Sequence, residues 1–225
     1  MTTRTGRSVA PLLVVLAMAA GVLSACGGGA DDRSSARVSA NDELSGAVRT
    51  PPLDVGSVTL PNETDGVGGV PFTMRAAPGG LLLVYFGFTS CPDICPTTLS
   101  DIGRAVKEIP ATERGRVDVA MVTVDPDRDT GAVVTSYLDT FVKGGGIALR
   151  TTDPVRQQAA QDAFRVVAER IPEGDDGYTF EHSAITYVVD DTGTVVLEWP
   201  FGISPTAMAR DLEILLARAD RESGA

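Results

Sequence analysis

The chain has 225 residues, enough for one domain with appendages. With 43% hydrophobic and 22% charged residues its composition is that of an ordinary globular protein. The formal net charge of -11 repels phosphate backbones and argues against a nucleic-acid partner; it suits cationic partners, metal cations or plain solubility.

Arg4 and Arg7, followed by an apolar core from Leu12 to Leu23, read as an export signal. The core is too short to span a bilayer comfortably. It ends in Leu23-Ser24-Ala25-Cys26-Gly27, which resembles the lipobox of bacterial lipoproteins. That resemblance implies cleavage after residue 25 and a lipid on the Cys26 sulfur. The protein would then be anchored to the extracytoplasmic face of the bacterial cell membrane rather than spanning it. The alternative is an ordinary signal peptide with a stray cysteine. Loss of residues 1–25 removes Arg4 and Arg7 and no acid, so the charge of -11 moves to about -13. Residues 26–52, rich in Gly, Ser, Asp and Ala and closed by Pro51-Pro52, are expected as a flexible tether. A folded domain is expected over 53–220.

Val58–Leu60 and Val70–Met74 flank a loop and predict a β-hairpin. The apolar run Leu81–Phe86 predicts a buried strand. Leu99, Ile102, Val106 and Ile109 recur at helical spacing behind it. Val117–Val124 predicts a strand, and Asp129-Thr130 caps a helix carrying Val134, Leu138 and Phe141. A short strand at Ile147–Leu149 and a helix within Pro154–Arg170 come next. Ala184–Val189 and Thr194–Trp199, joined by Asp190-Asp191-Thr192-Gly193, predict a second hairpin. A last helix runs from about Pro205 to Ala219, with Met208, Leu212, Leu215 and Leu216 on one face. The fold class is therefore α/β: a central mixed β-sheet flanked by helices, with an N-terminal β-hairpin.

Chemistry is concentrated in few residues. The chain has three cysteines and one histidine. Cys91 and Cys95 lie in Gly87-Phe88-Thr89-Ser90-Cys91-Pro92-Asp93-Ile94-Cys95-Pro96, between the buried strand and the helix. A cysteine motif at such a junction points to a thioredoxin-like domain. If both cysteines stand in the first helical turn, their i, i+4 spacing puts them on one face, and helical N–H groups depress the thiol pKa. Pro96 suits the first helical position. Thioredoxin motifs have two residues between the cysteines and this one has three, so a disulfide is feasible but with altered geometry and potential. Soft thiolates suit Cu(I), with imidazole able to join at either copper oxidation state. Two cysteines and a histidine also suit zinc with an open position. A bare dithiol could exchange disulfides, and an inert disulfide is the bland alternative. His182, in Glu181-His182-Ser183-Ala184, takes about the place of the cis-proline that faces the cysteines in thioredoxin-like folds.

The cysteine motif Gly87–Leu99, together with Val122-Thr123-Val124-Asp125-Pro126-Asp127-Arg128-Asp129-Thr130 and Glu181-His182-Ser183, resembles the Sco/SenC family of copper chaperones across roughly residues 50–220. Glu181 departs from that family's usual residue before the histidine. The resemblance implies a thioredoxin-like fold and copper, Cu(I) or Cu(II), bound by Cys91, Cys95 and His182. It also implies help in assembling the binuclear copper site of cytochrome c oxidase, with that oxidase's copper-accepting subunit as partner. Asp125 and Asp129 read as helix caps or turn residues rather than ligands. The competing expectation is a thiol-disulfide oxidoreductase using a Cys91–Cys95 disulfide and a thiol reductant protein, without need of His182. A peroxidase-like enzyme is a weaker third reading, since no arginine is placed by motif to activate peroxide. A monomer is the default for a diffusing carrier.

Overall fold

The structure, a computed structural model, describes residues 44–64, 69–174 and 177–224. The signal segment, Cys26 and the first part of the expected tether lie outside these residues. In chain order the elements are β1 (Thr59–Asn62), β2 (Val70–Thr73), β3 (Leu81–Gly87), α1 (Ile94–Glu108), β4 (Val117–Thr123), α2 (Gly131–Phe141), β5 (Ile147–Leu149), α3 (Pro154–Phe164), β6 (Ala168–Glu173), β7 (Gly177–His182), β8 (Ile185–Val189), β9 (Val195–Pro200) and α4 (Pro205–Ser223). Seven strands form one mixed sheet in the order β2-β1-β5-β4-β3-β8-β9.

Every residue of β3 is buried. This follows from its place: β4 pairs with it in parallel on one side and β8 antiparallel on the other. A strand covered on both faces reads as a continuous apolar run, as Leu81–Phe86 does. α1 packs against both α2 and α4. Gly103 permits the α1–α2 approach, because a Cβ there would stand 2.1 Å from the Phe141 carbonyl oxygen. The arrangement is thioredoxin-like, as expected. The helix starts obey local rules: Thr130, Asp153 and Ser204 accept amide hydrogen bonds through their side chains, and Pro154 and Pro205 open α3 and α4. Thr130, not Asp129, is the cap of α2.

Two segments differ from the sequence expectation. Residues 44–52 are docked rather than free. Ala47 bridges Glu198 on β9, and the Ser45 and Gly46 amides donate to the buried Asp211 carboxylate at 2.8 and 3.1 Å. Those bonds outweigh the local Gly, Ser and Pro content, which only lowers the cost of staying extended. The helix expected within Pro154–Arg170 ends at Phe164, and the rest of that stretch starts a strand the sequence did not predict. Arg165 adopts a left-handed conformation (φ 58°), and β6 then pairs with β7 from Ala168↔His182 to Glu173↔Gly177. This two-stranded ribbon carries few apolar residues and much exposed surface, so no period announced it.

Candidate metal centre

Cys91, Cys95 and His182 come together at the carboxyl end of β3, each delivered by a different piece of backbone. Their ligand atoms all lie within 4.8 Å of one another, and they form the one such group of His, Cys, Asp or Glu among the described residues. Cys91 sits in the turn after β3. Cys95 is the second residue of α1, and His182 is the last of β7. Only Cys95 is therefore in the first helical turn, and Pro96 is the third helical residue, not the first.

The start of α1 shows why the two sulfurs stay close. Its N-cap, Asp93, makes no capping bond through its side chain. The Cys95 amide, one of the orphan donors at the helix start, points instead at Cys91 Sγ at 3.4 Å. Pro96 has no N–H to satisfy. A sulfur thus takes the place of the usual capping oxygen.

Cys95 is fully buried, whereas Cys91 and His182 are partly exposed. Burial pushes the Cys95 thiol up to about 12, against opposing hydrogen bonds from the Tyr85 hydroxyl and a Phe88 backbone group. Its pKa goes up rather than down, contrary to the sequence expectation, because desolvation of the buried thiolate is the largest influence. Tyr85 donates to Cys95 Sγ at 3.5 Å. Gly87 faces the same sulfur; a Cβ at this position would lie 3.0 Å from Cys95 Sγ and 2.7 Å from the Tyr85 ring. Both cysteines are free thiols.

His182 is oriented by its neighbours. Its Nδ1 lies 3.1 Å from the Ser183 carbonyl oxygen, which can only accept, so Nδ1 carries the proton. Nε2 then presents a lone pair to Cys95 Sγ at 3.3 Å. Burial lowers the His182 pKa below its ordinary value, with the Ser183 bond opposing, and so favours the neutral ring. Tyr85 and Phe88 meet the imidazole edge-on at centroid distances of 6.0 and 5.8 Å. Two thiols and a neutral imidazole with one backbone-held nitrogen match what a soft metal ion requires, and the backbone bond is the kind of outer contact that fixes a ligating histidine.

Asp125 and Asp129 lie outside the donor group, as the sequence reading expected. Sequence reasoning missed the supports: Tyr85, Gly87 and Phe88. The alternation of Tyr85 and Gly87 on one face of β3 was a usable signal for the first two, because a glycine at the end of a buried strand marks a close approach.

A family model described as SCO1/SenC matches residues 63–217. The SCO2-like protein of Rickettsia felis is 34% identical over 142 residues, covering 61% of this chain and 66% of that protein, just under two thirds of its length. ScoI of Bradyrhizobium japonicum, solved with copper bound, is 29% identical with a TM-score of 0.60, covering 75% of this chain and 97% of that one. Apo Sco1 of Thermus thermophilus is 30% identical with a TM-score of 0.62, covering 83% of this chain and 99% of that one.

Proposed function

This chain belongs to the SCO1/SenC family, and on that footing we propose that it is a copper carrier whose ligands are Cys91, Cys95 and His182. The recipient in this reading is the binuclear copper site of cytochrome c oxidase. The protein is held at the extracytoplasmic membrane face by a lipid on Cys26, with cleavage after residue 25. Among the described residues no helix is long and apolar enough to cross a membrane.

The observation that supports the reading is the donor set: two thiol sulfurs and an imidazole Nε2 within 4.8 Å, with the imidazole tautomer fixed by Ser183. Three donors leave a coordination position for an incoming ligand, so copper can pass by exchange without release into solution. The thiols must be reduced to accept the metal, which couples redox state to affinity. The test is an anaerobic Cu(I) titration of the reduced full chain against a competing chelator, beside the His182→Ala variant. One tight equivalent, weakened by the substitution, is expected. Affinity indifferent to His182 would sink the three-ligand reading.

A second reading, thiol-disulfide exchange through a Cys91–Cys95 disulfide with a thiol reductant protein as partner, has one observation in its favour. The two sulfurs are neighbours of unequal exposure, one partly open and one buried, which suits an attacking and a resolving thiol. It requires both cysteines and not His182.

A further inference from the structure

The segment from Asp125 to Asp129, between β4 and α2, is bonded both to the loop that carries the cysteines and to the ribbon that carries the histidine, while supplying no donor. Toward the cysteines, the buried Asp129 carboxylate accepts from the Thr89 amide at 3.0 Å, from the Thr89 hydroxyl, and from the Thr123 hydroxyl at 2.6 Å. Thr89 stands two residues before Cys91. Toward the histidine, the buried Asp125 carboxylate accepts from the Tyr178 hydroxyl at 2.9 Å and from the Arg128 guanidinium. Arg128 also donates to the Tyr178 carbonyl oxygen at 3.0 Å. The Tyr178 ring is covered by two guanidinium groups, with Arg128 Cζ 3.9 Å and Arg170 Cζ 3.4 Å from its centroid.

Tyr178 is on the ribbon that ends in His182. Strand alternation puts Tyr178, Phe180 and His182 on one face of β7. Their rings continue the contact: Phe180 lies 5.9 Å from Tyr178 and 5.8 Å from Phe88, and Phe88 meets His182 at 5.8 Å. The ribbon forms a sheet of its own, outside the seven-stranded one. A lone two-stranded ribbon is marginal in water, so its angle depends on what ties it to the body.

We propose that Asp125 and Tyr178, with Arg128 and Arg170, act as positioning residues that hold the β6–β7 ribbon where His182 Nε2 meets Cys95, while Asp129 on the same segment fixes the cysteine loop. One short stretch of backbone thereby sets the separation of the donors. This rests on the reading of His182 as a ligand.

The test is a double-mutant cycle on the reduced full chain. Tyr178→Leu is expected to raise the Cu(I) dissociation constant about tenfold when His182 is present, the size usual for contacts that orient a ligand. In the His182→Ala background the same substitution is expected to change it less than about twofold, because an effect carried by the imidazole disappears with it. A copper-free readout accompanies it: the NMR through-space contacts of the His182 ring with the Phe88 and Tyr85 rings, which it meets at 5.8 and 6.0 Å in the parent, are expected to weaken in Tyr178→Leu. Equal losses in both backgrounds, or unchanged ring contacts, would overturn the proposal and leave Tyr178 a purely structural residue. His182→Ala without effect on affinity would overturn the ligand reading instead, while the ring contacts still judge the tie. If the leucine variant does not fold, Tyr178→Phe keeps the ring under its arginines and loses only the bond to Asp125; it must give the same pattern at smaller amplitude.

Discussion

Gly87→Ala tests whether the position of the Cys95 sulfur is set by backbone proximity. A Cβ at residue 87 would lie 2.7 Å from Tyr85 Cε1 and 3.0 Å from Cys95 Sγ. Carbon contacts are comfortable at roughly 3.5–4.0 Å, so the ring is about an ångström too close and the sulfur about half an ångström or more. Neither neighbour yields easily, since Tyr85 and Cys95 are fully buried. Overpacking of this kind costs about 1–3 kcal/mol of stability. A metal site tolerates displacements of only about 0.2 Å, so a sulfur moved by more than that loses affinity. The expected outcome is a chain that folds with a lower denaturation midpoint and binds Cu(I) about ten- to a hundredfold more weakly. Guanidinium unfolding of the metal-free protein and a competitive Cu(I) titration read the two quantities separately. Unchanged stability and affinity would refute the packing argument. Lost stability with intact affinity would show that Tyr85 alone absorbs the collision.

Two further expectations follow from the environment of the donors. The Cys95 thiol, pushed up to about 12, is protonated near neutral pH, so metal binding must expel at least that proton. His182, lowered by burial, is already neutral there and adds none. Apparent Cu(I) affinity should therefore rise at least about tenfold per pH unit from about pH 7 to about pH 9, and a flat profile in that titration would contradict Cys95 ligation. Tyr85→Phe removes the hydroxyl 3.5 Å from Cys95 Sγ, a bond that favours the thiolate. In a Cys91→Ser background, alkylation of Cys95 at fixed pH should slow; faster alkylation would show that the tyrosine acts by covering the sulfur instead.

The parts of the fold that were legible in the sequence are those with one dominant period. Leu81–Phe86 announces a central strand because both its faces are covered, and Met208, Leu212, Leu215 and Leu216 announce α4 because one face is. The three donors were legible because the chain is so sparing with cysteine and histidine. The ribbon was not legible: its burial alternates weakly, and its apolar contact through Phe180 is small beside the polar and cation–π contacts of Tyr178, Arg128 and Arg170. The docking of residues 44–52 was hidden for a related reason, since it depends on Asp211 some 165 positions away in sequence. Long-range polar ties leave no periodic trace.

The unequal burial of the donors bears on how metal or electrons would leave the site. Cys95 is sealed beneath Tyr85 and Gly87, while Cys91 and His182 are partly open. Under the copper-carrier reading an incoming sulfur or nitrogen from a recipient would meet Cys91 or His182 first, and Cys95 would be the last bond to break. Under the dithiol reading the same asymmetry makes Cys91 the accessible partner and Cys95 the resolving thiol. The two readings then part at His182: its Nδ1–H is committed to Ser183 and its Nε2 lone pair faces Cys95 Sγ, which suits a metal ligand, whereas disulfide exchange needs the two cysteines and not the histidine.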